Sequence, residues 1–181
     1  MKVYKLKADG DRFQSLVPLD RTNSIDVFRR FDGTPMGDSW RPWPVEIFTV
    51  NTSQPKSDSP LLATNVPAFS ARAAEALHEL LIPNGELLPL SCADGSYFAY
   101  NVTNVVDALD SARSSFIRYS DGGIMDVSQY QFLENLIGTI FKIPQTVRMD
   151  VFVSDEFKLA VEAHKLIGFD FELAWNSFDR Q

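Results

Sequence analysis

The chain carries one cysteine and two histidines in 181 residues, and that scarcity removes most of the chemistry a sequence can advertise. Cys92 alone cannot close an intramolecular disulfide or supply a thiolate cluster for zinc or iron–sulfur, and a reducing compartment is the simpler reading. It lies between Ser91 and Ala93 after an apolar strand, with no basic neighbour to activate it, so it is expected to be inert packing. Glu75 and His78 have the helical spacing of half a di-iron site, but a full site needs a second such pair and further carboxylates. Glu162 and His164 do not supply it, because residues two apart on a helix point different ways. The sequence therefore predicts no metal and no cofactor.

The motifs of nucleotide and acyl chemistry are missing as well. There is no Gly-x-Ser-x-Gly elbow, no phosphate loop ending in Gly-Lys-Ser or Gly-Lys-Thr, and no dinucleotide glycine fingerprint. Asp121-Gly122-Gly123 is too short to cradle a phosphate and reads as a turn. Asp107 with Asp110, or Asp150 with Asp155, could in principle do acid and base work, but nothing marks them as buried. Without a recognisable catalytic set, the chain reads as a protein that is not an enzyme.

Basic charge is also in short supply. A formal net charge of −7 argues against general attraction to nucleic acid, because phosphate binding needs a basic surface. Moderate negative charge keeps a protein soluble; it would also suit an acidic face that docks on a cationic protein. Met1 to Lys7 is a charged, alternating strand without the apolar core of a signal peptide, and no later run reaches the length of a membrane span. A cytoplasmic protein with no membrane association is expected.

What remains is an ordinary folded composition, 45% hydrophobic and 23% charged, long enough for one domain that buries roughly 70% of its unfolded surface. The closing stretch gives the clearest local signal. Val151 to Val153 reads as a strand, and Ser154 as an N-cap with Asp155 and Glu156 favoured by the helix dipole behind it. Phe157, Ala160, Val161 and His164 then recur on one buried helical stripe. Gly168 closes that helix, and Phe169, Phe171, Leu173 and Trp175 alternate with polar or small residues as a strand buried on one face.

Ser70 opens another helix, with Ala73, Ala74, Leu77, Leu80 and Leu81 on one face and Pro83-Asn84-Gly85 as its stop. Short strands are predicted at Val3 to Leu6, Val45 to Val50, Glu86 to Leu90, Tyr97 to Val102, Phe116 to Tyr119, Ile124 to Val127, Ile140 to Ile143 and Val147 to Val153. Asp32-Gly33-Thr34-Pro35 reads as a turn, and the turns at Ala93-Asp94-Gly95 and Asp121-Gly122-Gly123 suggest antiparallel hairpins. Phe13 to Phe31 fits short strands and turns better than one helix, and Tyr130 to Ile137 is either a short helix or an irregular apolar segment. The prediction is an α+β fold of short, mostly antiparallel strands with two main helices, at about 70–82 and 155–167. It forms a single domain, with Asn51 to Pro60 as an exposed loop or a subdomain seam.

Trp40-Arg41-Pro42-Trp43-Pro44 is the one stretch with the look of a binding feature. Rigid aromatics held by prolines can anchor an interface at low entropic cost, although a packed lid over the sheet explains them equally well. A rival reading assembles a small-ligand or enzyme site from Asp94, Tyr97, Tyr100, Asn101, Arg113 and Arg118. Such tyrosines and arginines near strands more often pack and pair across the sheet.

The order of motifs resembles a family of bacterial proteins first catalogued as a domain of unknown function and later grouped, as immunity family 11, with predicted immunity proteins of polymorphic toxin systems. The resemblance lies in Phe31-Asp32-Gly33-Thr34-Pro35 followed by Trp40-x-Pro42, then in Ser70-Ala71-Arg72-Ala73-Ala74-Glu75-Ala76-Leu77 leading to Gly85-Glu86-Leu87-Leu88-Pro89-Leu90. It continues through Tyr97, Tyr100-Asn101 and Ala108-Leu109-Asp110 to Val151-Phe152-Val153-Ser154-Asp155-Glu156-Phe157 and Gly168-Phe169. It implies a protein that binds a cognate toxin and blocks it without catalysis; an acidic chain favours a basic toxin. Trp40, Trp43, Asp32, Asp38 and Glu46 are the expected contact residues, and the oligomeric state is left open.

Overall fold

Alternation of apolar and polar residues at the two ends of the chain builds one sheet, because the first strand pairs with the last. The structure, a computed structural model, describes residues 1–133 and 138–178. In chain order its first half contains β1 (Lys2–Ala8), β2 (Ser15–Pro18), α1 (Ser24–Arg29), β3 (Trp43–Phe48), β4 (Ala68–Ser70), α2 (Ala71–Ala76) and α3 (His78–Leu81). The second half contains β5 (Gly85–Ser91), β6 (Tyr97–Val102), β7 (Ser115–Arg118), β8 (Ile124–Gln129), β9 (Ile140–Phe141), β10 (Phe152–Ser154), α4 (Asp155–Ala163) and β11 (Phe169–Asn176).

A four-stranded sheet has the order β11-β1-β10-β9, and a five-stranded sheet the order β2-β3-β5-β6-β4. The hairpin β7–β8 stands apart from both. Pairing between these strands is antiparallel except where β3 meets β5, with Trp43 opposite Leu90; a lone parallel bridge also joins Val105 and Lys142. The fold is thus α+β with mostly antiparallel short strands. Both expected hairpin turns join antiparallel partners, β5 with β6 and β7 with β8.

Three apolar clusters hold these layers. Tyr4, Leu6 and Val153 from the first sheet meet Phe69, Tyr100 and Val102 from the second, with Leu77, Phe157 and Val161 of the helical segments closing over them. On the other side of the four-stranded sheet, Val3, Phe141 and Phe152 pack with Val127, Tyr130 and Phe132. Phe152 and Phe132 lie 5.4 Å apart edge to face, an arrangement worth about 1 kcal/mol beyond its area. Leu16, Phe31, Trp40, Val45, Leu88 and Ala99 form the third cluster, under β2 and β3.

Several local expectations are corrected. The helix expected at about 70–82 is broken at Leu77, at φ −103° and ψ 9°, into α2 and α3; Ser70 caps it as expected, accepting from the Ala73 amide at 3.1 Å. The region from Phe13 to Phe31 holds the strand β2 and also the short helix α1. Leu109 bridges Phe132 within an irregular stretch, while residues 134–137 of that apolar segment lie outside the described residues.

At α4 the sequence reading fails in three places. Ser154 occupies the N-cap position but makes no capping bond, and its hydroxyl is buried without a partner. Asp155 instead accepts from the Lys2 amide at 2.8 Å and the Tyr4 hydroxyl at 3.2 Å, which ties α4 to β1. His164 is exposed rather than part of the buried stripe. The helix also ends earlier than Gly168 suggests. Lys165 takes the left-handed conformation at φ 51°, the Leu166 amide returns to Val161 O at 3.0 Å and the Lys165 amide to Glu162 O at 3.0 Å, a Schellman closure on a residue that is not glycine.

In β11, Leu173 lies opposite Tyr4 and Trp175 opposite Val3, so Ala174 is an extra residue that forms a bulge. The strict alternation read from the sequence therefore holds for Phe169 and Phe171, which pack on the helix side. Past the bulge it is reversed, since bulges re-aim the side chains beyond them. Trp175 joins the opposite cluster, its indole donating to Gln131 Oε1 at 3.1 Å, and Leu173 is left exposed.

The tract from 51 to 60 is exposed only in part. Gln54, Ser57, Asp58, Ser59 and Pro60 are buried, because Gln54 donates to Asp11 O at 2.8 Å and accepts from the Val50 amide at 2.7 Å. Asp58 gathers Ser70, Arg72 and the Ile167 amide within 3.0 Å. Polar composition here marks satisfied buried groups, which is how polar side chains enter an interior.

Candidate protein-interaction face

β2 and β3 pair with Val17 opposite Glu46 and Ser15 opposite Phe48. Along β3, Val45 and Ile47 turn toward the cluster beneath, while Pro44, Glu46 and Phe48 are exposed on the other face. The free edge of β2 has little left to offer another strand. The Gln14 amide donates to Pro55 O at 3.0 Å and the Leu16 amide to Leu61 O at 2.8 Å, and Pro18, two residues further on, has no amide hydrogen. Recognition at this edge has to come from side chains.

Beside that face lies a cavity of 560 Å³ whose lining includes Asp9, Asp11, Val17, Phe48, Leu61 and Asp170. Its apolar walls are partly open: Phe48 is 46%, Val50 73% and Leu61 37% exposed. Asp9 is paired with Arg12. Partial desolvation raises its pKa, but the Arg12 guanidinium and the Arg12 amide together hold the carboxyl below the ordinary range. Asp11 and Asp170 are exposed, and no lysine or arginine is among the described lining residues. Ala8, Leu61 and Leu62 also line a second cavity of 250 Å³, whose walls are mainly apolar.

The residues expected to make contact are distributed differently. Trp40 is buried, and its indole donates to Pro89 O at 2.9 Å; it packs edge to face on Phe31. Trp43 is half-buried against Phe28, with centroids 5.2 Å apart. Both tryptophans belong to the cluster beneath the sheet. Asp32 is tied to Arg148 at 2.9 Å; that guanidinium, more than the opposing desolvation, sets its pKa below the usual carboxylate value. Asp38 and Glu46 face solvent, and Glu46 stands in the same exposed row as Phe48 at the flank of the large cavity.

The residues of the rival reading are not brought together. Tyr100 is buried and donates to Leu81 O at 2.6 Å, and Tyr97 is buried too. Asn101 donates to Thr34 O and to Glu86 Oε2, each at 2.9 Å. Arg113 pairs with Asp110, Arg118 lies over the Phe116 ring, and Asp94 is exposed in a turn. None of them lines either of the two cavities above, or the 250 Å³ hollow beside Asp32, Thr34 and Met36.

Two charged side chains, half-buried Glu86 and buried Lys142, fix the loop that carries Trp40. Glu86 accepts from the Met36 and Gly37 amides, each at 2.8 Å. Burial raises its pKa, but these bonds and that from Asn101 outweigh it, so the carboxyl titrates below its ordinary value. Lys142 is wholly buried and donates to Phe31 O and, at 3.2 Å, to Asn65 O. Desolvation lowers its pKa to about 8, against an opposing pull from Asp32. Among the described residues no group of three or more His, Cys, Asp or Glu side chains is placed to hold a metal ion. Among the same residues no helix is long and apolar enough to cross a membrane.

The geometry is that of a scaffold with an acidic and apolar face, and comparison of the sequence adds a family. Residues 90–175 match the model of an immunity protein family, Imm11. This is the family that the order of motifs resembles. The Imm11 match takes in a little under half of the chain, including β6 to β11 and α4. It therefore covers most of the four-stranded sheet, whereas every lining residue of the large cavity except Asp170 lies before it. No curated protein matches the chain.

Sequence reasoning missed Asp9, Asp11, Val17, Phe48, Val50, Leu61 and Asp170 as site residues. The available signal was Asp9-Gly10 directly after an alternating strand, a turn that brings two carboxylates to the end of β1.

Proposed function

We propose that this chain is an immunity-type protein that binds a cognate bacterial toxin and blocks it by tight non-covalent association, without transforming any compound itself. The observation that carries this reading is the match of residues 90–175 to the Imm11 immunity protein family. The acidic, partly apolar face beside β2 and β3 agrees with it, since contiguous exposed apolar surface rimmed by polar groups marks interaction sites.

The toxin meets this protein in the cytoplasm and presents a basic surface to it. A net charge of −7 accelerates encounter with such a partner, and the acceleration weakens as salt screens it. Glu46 and Asp38 contribute from the solvent side, Asp32 at its Arg148 pair, and Trp43 by its exposed edge; Trp40 holds their loop from beneath.

Co-expression with a toxin gene found beside this one tests the proposal. Cells survive when the chain is present, and the two proteins elute together on gel filtration. Death despite a stably expressed chain, with no joint peak, contradicts it.

A further inference from the structure

We infer that the 560 Å³ cleft between the Asp9–Asp11 turn and the outer face of β2–β3 receives a lysine or arginine side chain, flanked by an apolar residue, from the partner protein. The inference rests on the immunity reading above and names the surface and the partner chemistry.

Three features select this occupant. The cleft offers apolar walls to the methylenes of a long basic side chain, and the exposed carboxylates of Asp11 and Asp170 to its charge. Asp11 and Asp170 have no cationic partner among the described ion pairs. The nearby Lys7 is engaged by Glu172 at 3.3 Å, and Arg12, which pairs with Asp9, is 78% exposed in its side chain. Second, Phe48, Val50 and Leu61 are exposed apolar residues that line one cavity rather than lie scattered. An apolar neighbour of the basic residue would cover them.

Third, the spent backbone donors of the β2 edge exclude added strand pairing there, one of the common ways an extended peptide binds. A small free metabolite is disfavoured too, since such sites place a few polar groups to converge on the ligand, whereas Asp11 and Asp170 are exposed and Asp9 is engaged by Arg12. Glu46, in the row of Phe48, extends the negative potential along the same face.

The test uses the full chain with Asp11→Lys and Asp170→Lys together, against a control with Glu75→Lys and Glu79→Lys. The control pair changes net charge equally, on exposed positions of α2 and α3 that do not line the cleft. Binding to the neighbouring toxin is expected to weaken about ten- to a hundredfold in the cleft variant and to change little in the control. Asp11→Asn with Asp170→Asn replaces the first variant if its NMR spectrum is not native-like. Equal binding by cleft variant and wild type overturns the cleft while leaving the immunity reading intact.

A second probe is independent of the toxin. Leucyl-arginine amide, titrated into the ¹⁵N-labelled protein, is expected to shift the amides of Val17, Phe48 and Leu61, whereas leucyl-glutamate amide leaves them in place. If the wild type binds no toxin, the immunity reading falls and this titration decides the cleft alone: absent or scattered shifts overturn it.

Discussion

Asp58 accepts from the guanidinium of Arg72 at 2.6 Å, and the same guanidinium donates to the carbonyls of His164 and Lys165 at 2.9 and 3.1 Å. One ion pair thus joins the tract before β4, the first turn of α2 and the C-terminal carbonyls of α4. Removing Asp58, itself buried, leaves the Ser70 hydroxyl and the Ile167 amide without their acceptor in a partly buried site.

Asp58→Ala is therefore expected to destabilise the fold by about 3 kcal/mol. Arg72→Ala should cost about 1 kcal/mol, because half of that side chain is already in water and exposed pairs contribute little. Urea unfolding checks both: the midpoints should fall in that order with an unchanged slope.

Lys165 adopts φ 51°, a conformation that disfavours a side chain. Replacing it by glycine should stabilise the protein by about 0.5–1 kcal/mol, and Lys165→Val should destabilise it by at least as much. Thermal denaturation of the two variants gives the opposite signs directly.

Lys142 has a folded pKa near 8, below its unfolded value. Its stabilising contribution is present above the unfolded pKa and lost as pH falls through the folded one. The unfolding free energy should rise between pH 8 and about pH 10, by about 2–3 kcal/mol from this residue. Tyr100 and Tyr130, pushed up by desolvation, work the other way, holding stability that is lost once unfolded tyrosines ionise at about pH 10. Chemical denaturation across this range should show a rise followed by a fall. Lys142→Met should abolish the rise and keep the fall.

Glu86 titrates below its ordinary value, so its contribution is present at neutral pH and disappears as acid protonates it in the folded state. Glu86→Gln should flatten the acid limb of the stability curve below about pH 4.5. It should also speed hydrogen exchange at the Met36 and Gly37 amides, which lose an anionic acceptor.

The elements themselves were legible where one period ran between two punctuating residues. Ser70 to Gly85 and Phe152 to Phe171 could be placed because their apolar spacing follows a helix or a strand, although the break at Leu77, the uncapped Ser154 and the closure at Lys165 leave no mark in that spacing. The bulge at Ala174 was not, since alternation continues through the sequence of Leu173, Ala174 and Trp175, and only the pairing with Val3 and Tyr4 shows the extra residue. Nor was the interior position of Asp58, because a polar tract looks the same whether water or buried partners satisfy it. The cleft was out of reach for a different reason: Asp11, Val17, Phe48, Leu61 and Asp170 come from distant parts of the chain, and no spacing links them.

The most direct measurement of the central claim is the association rate of the purified chain with the cognate toxin proposed for it, followed by stopped flow as salt is raised. A stable complex should form, toxin activity should vanish at equimolar ratio, and the rate constant should fall as the ionic strength increases. An active toxin in the presence of excess folded chain, with no binding signal at low salt, would contradict the account.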